Sequence, residues 1–136
     1  MSFLADTSAV WRMLRGQAGT QWTDRLFHGL IAISTPVESE LMLTVRAKSD
    51  FEPFFKKLDS TFAWCPPVGN PWPQVLAVQR DLLEIGHHRG PSPVDIVIAL
   101  TARWHGLTLV HADGDFASIA KVRPEIEMVR IEEQAT

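Results

Sequence analysis

Phe3-Leu4-Ala5-Asp6-Thr7-Ser8 carries a short apolar run into an aspartate and two hydroxyl residues, and a helical pattern begins at Ala9. In an open α/β sheet, ligands gather outside the carboxyl ends of strands, above all where the strand order reverses. A carboxylate delivered to that edge is a candidate site residue. The plainer alternative is a helix cap, since Asp, Thr and Ser all cap well. If Thr7 or Ser8 caps the helix, Asp6 is free to face the strand ends, and the strand before it becomes the centre of the sheet.

Outward from this stretch, apolar spacing predicts alternating helices and strands. Val10, Trp11, Met13 and Leu14 mark a short helix ended by Gly16, and Trp22, Leu26 and Phe27 supply the apolar face of another over about 20–28. Residues 30–33 read as a buried strand. Thr35-Pro36-Val37-Glu38 then has the form of a capping box, with Thr35 at the N-cap and Pro36 at the first helical position. Its helix is expected to run to about residue 48. Glu40 lies on or beside the apolar stripe of Val37, Leu41, Leu43 and Thr44, where an acid is costly unless paired or metal-bound.

A further helix is expected over about 50–59, with Phe51, Phe54, Phe55 and Leu58 inward, followed by a short strand at 62–65. The proline- and glycine-rich residues 68–73 form a loop too short to link domains. The next helix reaches about residue 85 on Trp72, Val75, Leu76, Leu82 and Leu83. The five tryptophans fall mainly at helix-face positions and are expected in the core. Ser92 caps a helix whose first turn holds Asp95 and whose body, Ile96 to Ala102, is apolar nearly all round. Residues 107–110 are a strand, His111 to Phe116 turns into a short helix, and 127–131 is the last strand before a polar tail. Strands alternating with helices, with few hairpin signals, predict a three-layer α/β/α domain on a mainly parallel sheet.

At 136 residues, with 46% hydrophobic and 21% charged residues, the chain fits one globular domain. A formal net charge of −3 gives no overall basic field, but an acidic cluster that takes divalent cations has the same effect on composition. Cys65 is the only cysteine, which excludes an internal disulfide and a thiolate metal site and suits a reducing compartment. No stretch is long enough to span a bilayer, so a soluble cytoplasmic protein is expected.

Asp6 and Asp113 each follow a strand, Asp115 stands two residues on, and Asp95 opens a buried helix. Singly, each can be a cap or a turn-former. Together with Glu40 they read differently, because parallel strands bring their carboxyl ends to one edge. Carboxylates gathered there repel, and raise one another's pKa unless a cation joins them. An all-oxygen acidic site suits magnesium or manganese, and phosphoryl transfer is the chemistry such sites serve. No P-loop, nucleophile elbow, Rossmann glycine pattern or His-Glu-x-x-His helix occurs. An EF-hand starting at Asp113 fails at Ala117 and Pro124, and Ser8 stands where a haloacid-dehalogenase-type phosphatase needs a second aspartate. His87 and His88 are adjacent, a poor arrangement for chelating one ion, and read as polar residues near a helix end. Arg89 is a surface loop residue or a phosphate contact.

The ordered set Asp6-Thr7-Ser8, Thr35-Pro36-Val37 through Glu40-Leu41, Pro93 through Asp95 to Ala99, and His111 to Phe116 resembles the PIN-domain family, and within it the VapC toxins of bacterial toxin–antitoxin pairs. The resemblance covers essentially the whole chain, 1–136, as a single PIN-like domain. It implies a metal-dependent endoribonuclease, a phosphodiester hydrolase that cuts RNA with a metal-activated water. By that resemblance Asp6, Glu40, Asp95 and Asp113 are the catalytic and metal-binding acids for Mg2+ or Mn2+. Ser8 supports them with a hydroxyl hydrogen bond, Asp115 stands beside them, and Arg89 is a candidate substrate contact. Implied partners are an RNA substrate, a small VapB-type antitoxin and a second copy of the chain in a homodimer, with no membrane. The alternative from another class is a PIN-like module that binds RNA or a partner without cutting.

Overall fold

A computed structural model describes residues 1–131; the polar tail, 132–136, lies outside the described residues. Five strands form one sheet: β1 (Phe3–Ala5), β2 (Ile31–Ile33), β3 (Ala63–Trp64), β4 (Thr108–His111) and β5 (Met128–Arg130). Their order is β3-β2-β1-β4-β5, and all four pairings are parallel. Leu4 sits opposite Ala32 on one side and Leu109 on the other, so β1 is the central strand. From β1 the chain moves outward through β2 and β3, then returns across the sheet to β4 and β5. The strand order therefore reverses between β1 and β4, and a crevice outside their carboxyl ends is where a ligand belongs in such a sheet.

Helices flank the sheet: α1 (Thr7–Leu14), α2 (Thr20–Phe27), α3 (Thr35–Met42), α4 (Phe51–Thr61), α5 (Trp72–Glu84), α6 (Pro93–Trp104) and α7 (Asp115–Val122). The core joins Leu4 and Ala5 of β1 with Ile31–Ile33, Leu109, Val110 and the consecutive buried residues Ile96 to Ala102 of α6. Thr101, the polar member of that run, is satisfied: its hydroxyl donates to the Val97 carbonyl at 2.8 Å and accepts from the Val68 amide at 3.2 Å. Among the described residues, no helix is long and apolar enough to cross a membrane.

Several local expectations are overturned. The helix entered at Thr35 ends at Met42, six residues early. Thr44 turns its hydroxyl back onto the Leu41 carbonyl at 2.7 Å, taking a backbone acceptor that a continuing helix would use. Leu43 is consequently 86% exposed. The capping box does not form: Ser34 holds the N-cap position without a side-chain bond, and Thr35 is the first helical residue. Glu38 instead accepts from the Trp64 indole nitrogen at 2.8 Å. Of the tryptophans only Trp22 is buried; Trp64, Trp72 and Trp104 are exposed, with Phe27, Leu76 and Leu83. Periodicity identifies a helix face, but burial requires a second element to cover it, and among the described residues none covers Trp72, Leu76 and Leu83.

Candidate functional site

Asp6 lies one residue past β1 and is itself the N-cap of α1, so neither Thr7 nor Ser8 takes that role. Its Oδ1 accepts from the Ala9 amide at 2.8 Å. The Ser8 hydroxyl stands 2.8 Å from both carboxylate oxygens and accepts in turn from the Ala112 amide at 2.9 Å. One hydroxyl thus ties the end of β1 to the end of β4 across the point where the strand order reverses. Asp6 is only 3% exposed. Burial pushes its pKa up to about 6; bonds from Ala9 and Ser8 pull the other way, and the Asp95 charge adds to the rise. Capping and facing the strand ends are therefore compatible in one side chain, since a carboxylate has lone pairs for both.

Asp95 reaches the same edge from the first turn of α6. There the capping box is complete: Ser92 Oγ accepts from the Asp95 amide at 3.1 Å, and Asp95 Oδ2 accepts from the Ser92 amide at 2.9 Å. Burial raises its pKa, the bonds to Ser92 lower it, and the charges of Glu40 and Asp113 raise it again. Those electrostatic contacts place Glu40 and Asp113 around Asp95, as Asp95 stands near Asp6. Glu40, half-buried on α3, accepts from the Thr7 hydroxyl at 2.6 Å. Asp113 is half-buried after β4, and its Oδ1 accepts from the Asp115 amide at 2.9 Å.

The expected acids thus come from four separate parts of the chain to one edge, joined by the shared electrostatics of Asp95. Among the described residues, no group of three or more His, Cys, Asp or Glu side chains stands close enough together to hold a metal ion. The acids are an open set of hard oxygen donors, the donor type that suits magnesium or manganese. Buried carboxylates with raised pKa values are also what an added cation would relieve.

Asp115 opens α7 and lies against the loop after α5: a Cβ built on Gly90 would stand 2.8 Å from Asp115 Oδ1. Arg89, beside Gly90 in the chain, is exposed. Three residues escaped the sequence reading. Thr7, taken for a cap, orients Glu40. His111 is buried at the end of β4; its Nδ1 accepts from the Asp113 amide at 3.3 Å, leaving the proton on Nε2. Burial, then the Arg130 charge, lowers its pKa, against the bond and charge of Asp113, which raise it. Arg130, the last residue of β5, has Nη1 3.9 Å from where a Cβ on Gly114 would stand. The signals were Thr7 beside Asp6 and an arginine at a strand's carboxyl end. Both are too common to stand out without the register.

Comparison with known proteins bears on this edge. A family model described as PIN domain matches residues 3–122. The chain is 34% identical over 123 residues to Ribonuclease VapC2 of Mycobacterium tuberculosis, an alignment covering 87% of this chain and 84% of that protein. In fold it is similar to the structure titled "Crystal structure of DNA bound VapBC from Salmonella typhimurium", with TM-score 0.73, 17% identity, and coverage of 97% of this chain and 99% of that one. It is also similar to "Toxin-antitoxin complex from Klebsiella pneumoniae", with TM-score 0.65, 19% identity, and coverage of 98% and 100%.

Proposed function

The chain belongs to the PIN-domain family and is related to its VapC ribonucleases, and from that premise we propose that it is a magnesium- or manganese-dependent endoribonuclease, the toxin of a toxin–antitoxin pair. The observation that supports the reading is that Asp6, Glu40, Asp95 and Asp113 lie toward the edge where the strand order reverses, with Asp95 feeling the charge of Glu40 and Asp113, and Asp6 that of Asp95.

In this reading those four acids hold the cation. When bound, it supplies a lowered pKa for the attacking water and positive charge for the scissile phosphate and leaving oxygen. The chain's own residues do the positioning. Ser8 fixes both oxygens of Asp6, Thr7 fixes Glu40, and the Ser92–Asp95 capping box fixes the rotamer of Asp95. The carboxylates hold the cation and are not nucleophiles. Asp115 supports Asp113 through the turn they share, and Arg89 takes an RNA phosphate. The unit is one PIN-like domain over 1–136, working in the cytoplasm as a homodimer and neutralised by a VapB-type antitoxin. The kinship with Ribonuclease VapC2 and the fold shared with VapBC and toxin–antitoxin structures support that partner class.

The test is cleavage of a mixed RNA pool with magnesium, with manganese, with EDTA, and by Asp6→Ala. Cleavage by the wild type with either cation, lost in EDTA and in the variant, is expected. Equal cleavage by variant and wild type removes the catalytic assignment. RNA binding retained with no cleavage and no cation uptake by titration calorimetry makes the chain a binding module instead.

A further inference from the structure

Arg89 and Arg130 both lie in segments that touch the turn from Asp113 to Asp115, the first through its neighbour Gly90 and the second directly at Gly114. The loop after α5 is fastened to α7 at two points: His87 Nδ1 lies 3.0 Å from Ser118 Oγ, and Gly90 packs so closely on Asp115 that a Cβ there would meet its Oδ1 at 2.8 Å. Pro91 behind them is buried, so the segment bearing exposed Arg89 is seated on the fold on both sides of that residue. Arg130 ends β5 opposite His111, with its guanidinium beside Gly114. Arg103 and Arg123 are committed to Glu125 and Asp81, whereas Arg89 and Arg130 form no ion pair among the described residues. In a chain with a formal charge of −3, they are two arginines without an ion pair whose segments touch an acidic turn.

We propose that Arg89 and Arg130 form a paired clamp for backbone phosphates of single-stranded RNA beside the cleaved bond, with His87 and Gly90 as positioning residues for Arg89. This rests on the ribonuclease reading and deepens it. The acids alone would repel a polyanion, so the backbone beyond the cation needs its own donors. A guanidinium suits that role because its fork of N–H groups matches phosphate geometry. Contacts of this kind position the strand without reading its sequence. Gly90 matters for its size: an added methyl must displace either the Asp115 carboxylate or the loop.

The experiment measures binding of a single-stranded RNA oligonucleotide against salt in an Asp95→Asn background, so that bound RNA stays uncut, and cleavage with magnesium in the wild-type background. Arg89→Gln and Arg130→Gln are each expected to weaken binding about ten-fold and to lower the slope of log affinity on log salt by about 0.7, with melting temperatures unchanged. Arg130→Lys recovers most of the slope. Gly90→Ala reproduces the loss of Arg89→Gln and adds nothing to it in the double variant. Wild-type KM and salt slope in both arginine variants, in a protein that does cut RNA, overturn the clamp. RNA left uncut by the wild type with magnesium, yet bound with the same arginine dependence, overturns the nuclease reading and keeps the clamp.

Discussion

The turns after β1 and β4 look alike in sequence, each passing from a strand through an aspartate into a helix, yet they are built on opposite terms. The first is closed: Asp6 is 3% exposed, caps α1 with its own side chain, and has a hydroxyl against both oxygens. The second is open: Asp113 is half-buried and accepts one backbone bond, while α7 starts from Gly114 with no side-chain cap. The closed turn fixes the geometry of the edge and carries a charge that burial disfavours. The open turn is where neighbouring segments, the loop at Gly90 and Arg130, come to lie. One acid anchors the edge and the other leaves room at it.

The comparison is tested most heavily by activity, where the two turns should not differ. Asp6→Asn and Asp113→Asn are both expected to lose more than about 100-fold in RNA cleavage, because even outer-shell partners of a metal are worth 10–100-fold. Near-normal cleavage by either variant removes that acid from the proposed site.

Stability against pH should separate them. The carboxyl of Asp6 titrates at about 6 in the fold against 3.8 in an unfolded chain, so between those values the folded state binds the extra proton. Stability is then full at the acid end of this window and falls as pH rises through 6, by at most about 3 kcal/mol. Urea unfolding in EDTA should show this fall in the wild type and a smaller one in Asp6→Asn, whose amide oxygen still caps and where only the raised carboxyl of Asp95 remains. Asp113→Asn should retain the wild-type slope. A flat wild-type response would mean that Asp6 is not held in a charge-disfavouring site.

Much of this edge was legible in the sequence because it depends on local rules. A short apolar run before Asp6, the Ser92 cap with Asp95 three residues on, and the strand before His111 each follow from neighbouring residues. The parallel order then brings their ends together. What was not legible depends on distance or on coverage. Thr7 meets Glu40 across thirty-three positions, and Gly90 meets Asp115 only because α5 and α7 pack together. Trp72, Leu76 and Leu83 have the spacing of a buried stripe and face solvent, since a period records which residues share a face and nothing about what covers it. Asp6 was misread by treating cap and site residue as exclusive.

Ser8 is the hinge between the two turns, and its removal is the next largest effect. Ser8→Ala leaves the Ala112 amide without its acceptor and takes a donor from a buried carboxylate. An unsatisfied buried polar group costs about 1–3 kcal/mol. Thermal unfolding should register that loss. Cysteine at this position, a weak donor and acceptor, should recover only part of it. A neutral Ser8→Ala would mean that the strand pairing alone holds the ends of β1 and β4 together.

The smallest effect belongs to a third strand-to-helix turn, the one after β2, which has the best cap signature in the chain and does not use it. A functioning Thr N-cap replaced by Ala loses about 1 kcal/mol. Thr35 is exposed at the first helical position, and its hydroxyl accepts no amide bond. Thr35→Ala should therefore change stability by less than about 0.5 kcal/mol, the range of ordinary surface substitutions. Asp6→Ala, at a turn with a weaker signature and a real bond, should lose a cap's full worth, offset by the relief of its buried charge above pH 6. Measuring both well below the unfolded value of 3.8, where that charge is neutralised in folded and unfolded chains alike, isolates the cap. A loss at Thr35 equal to that at Asp6 would restore the capping box and put Ser34 outside the helix start.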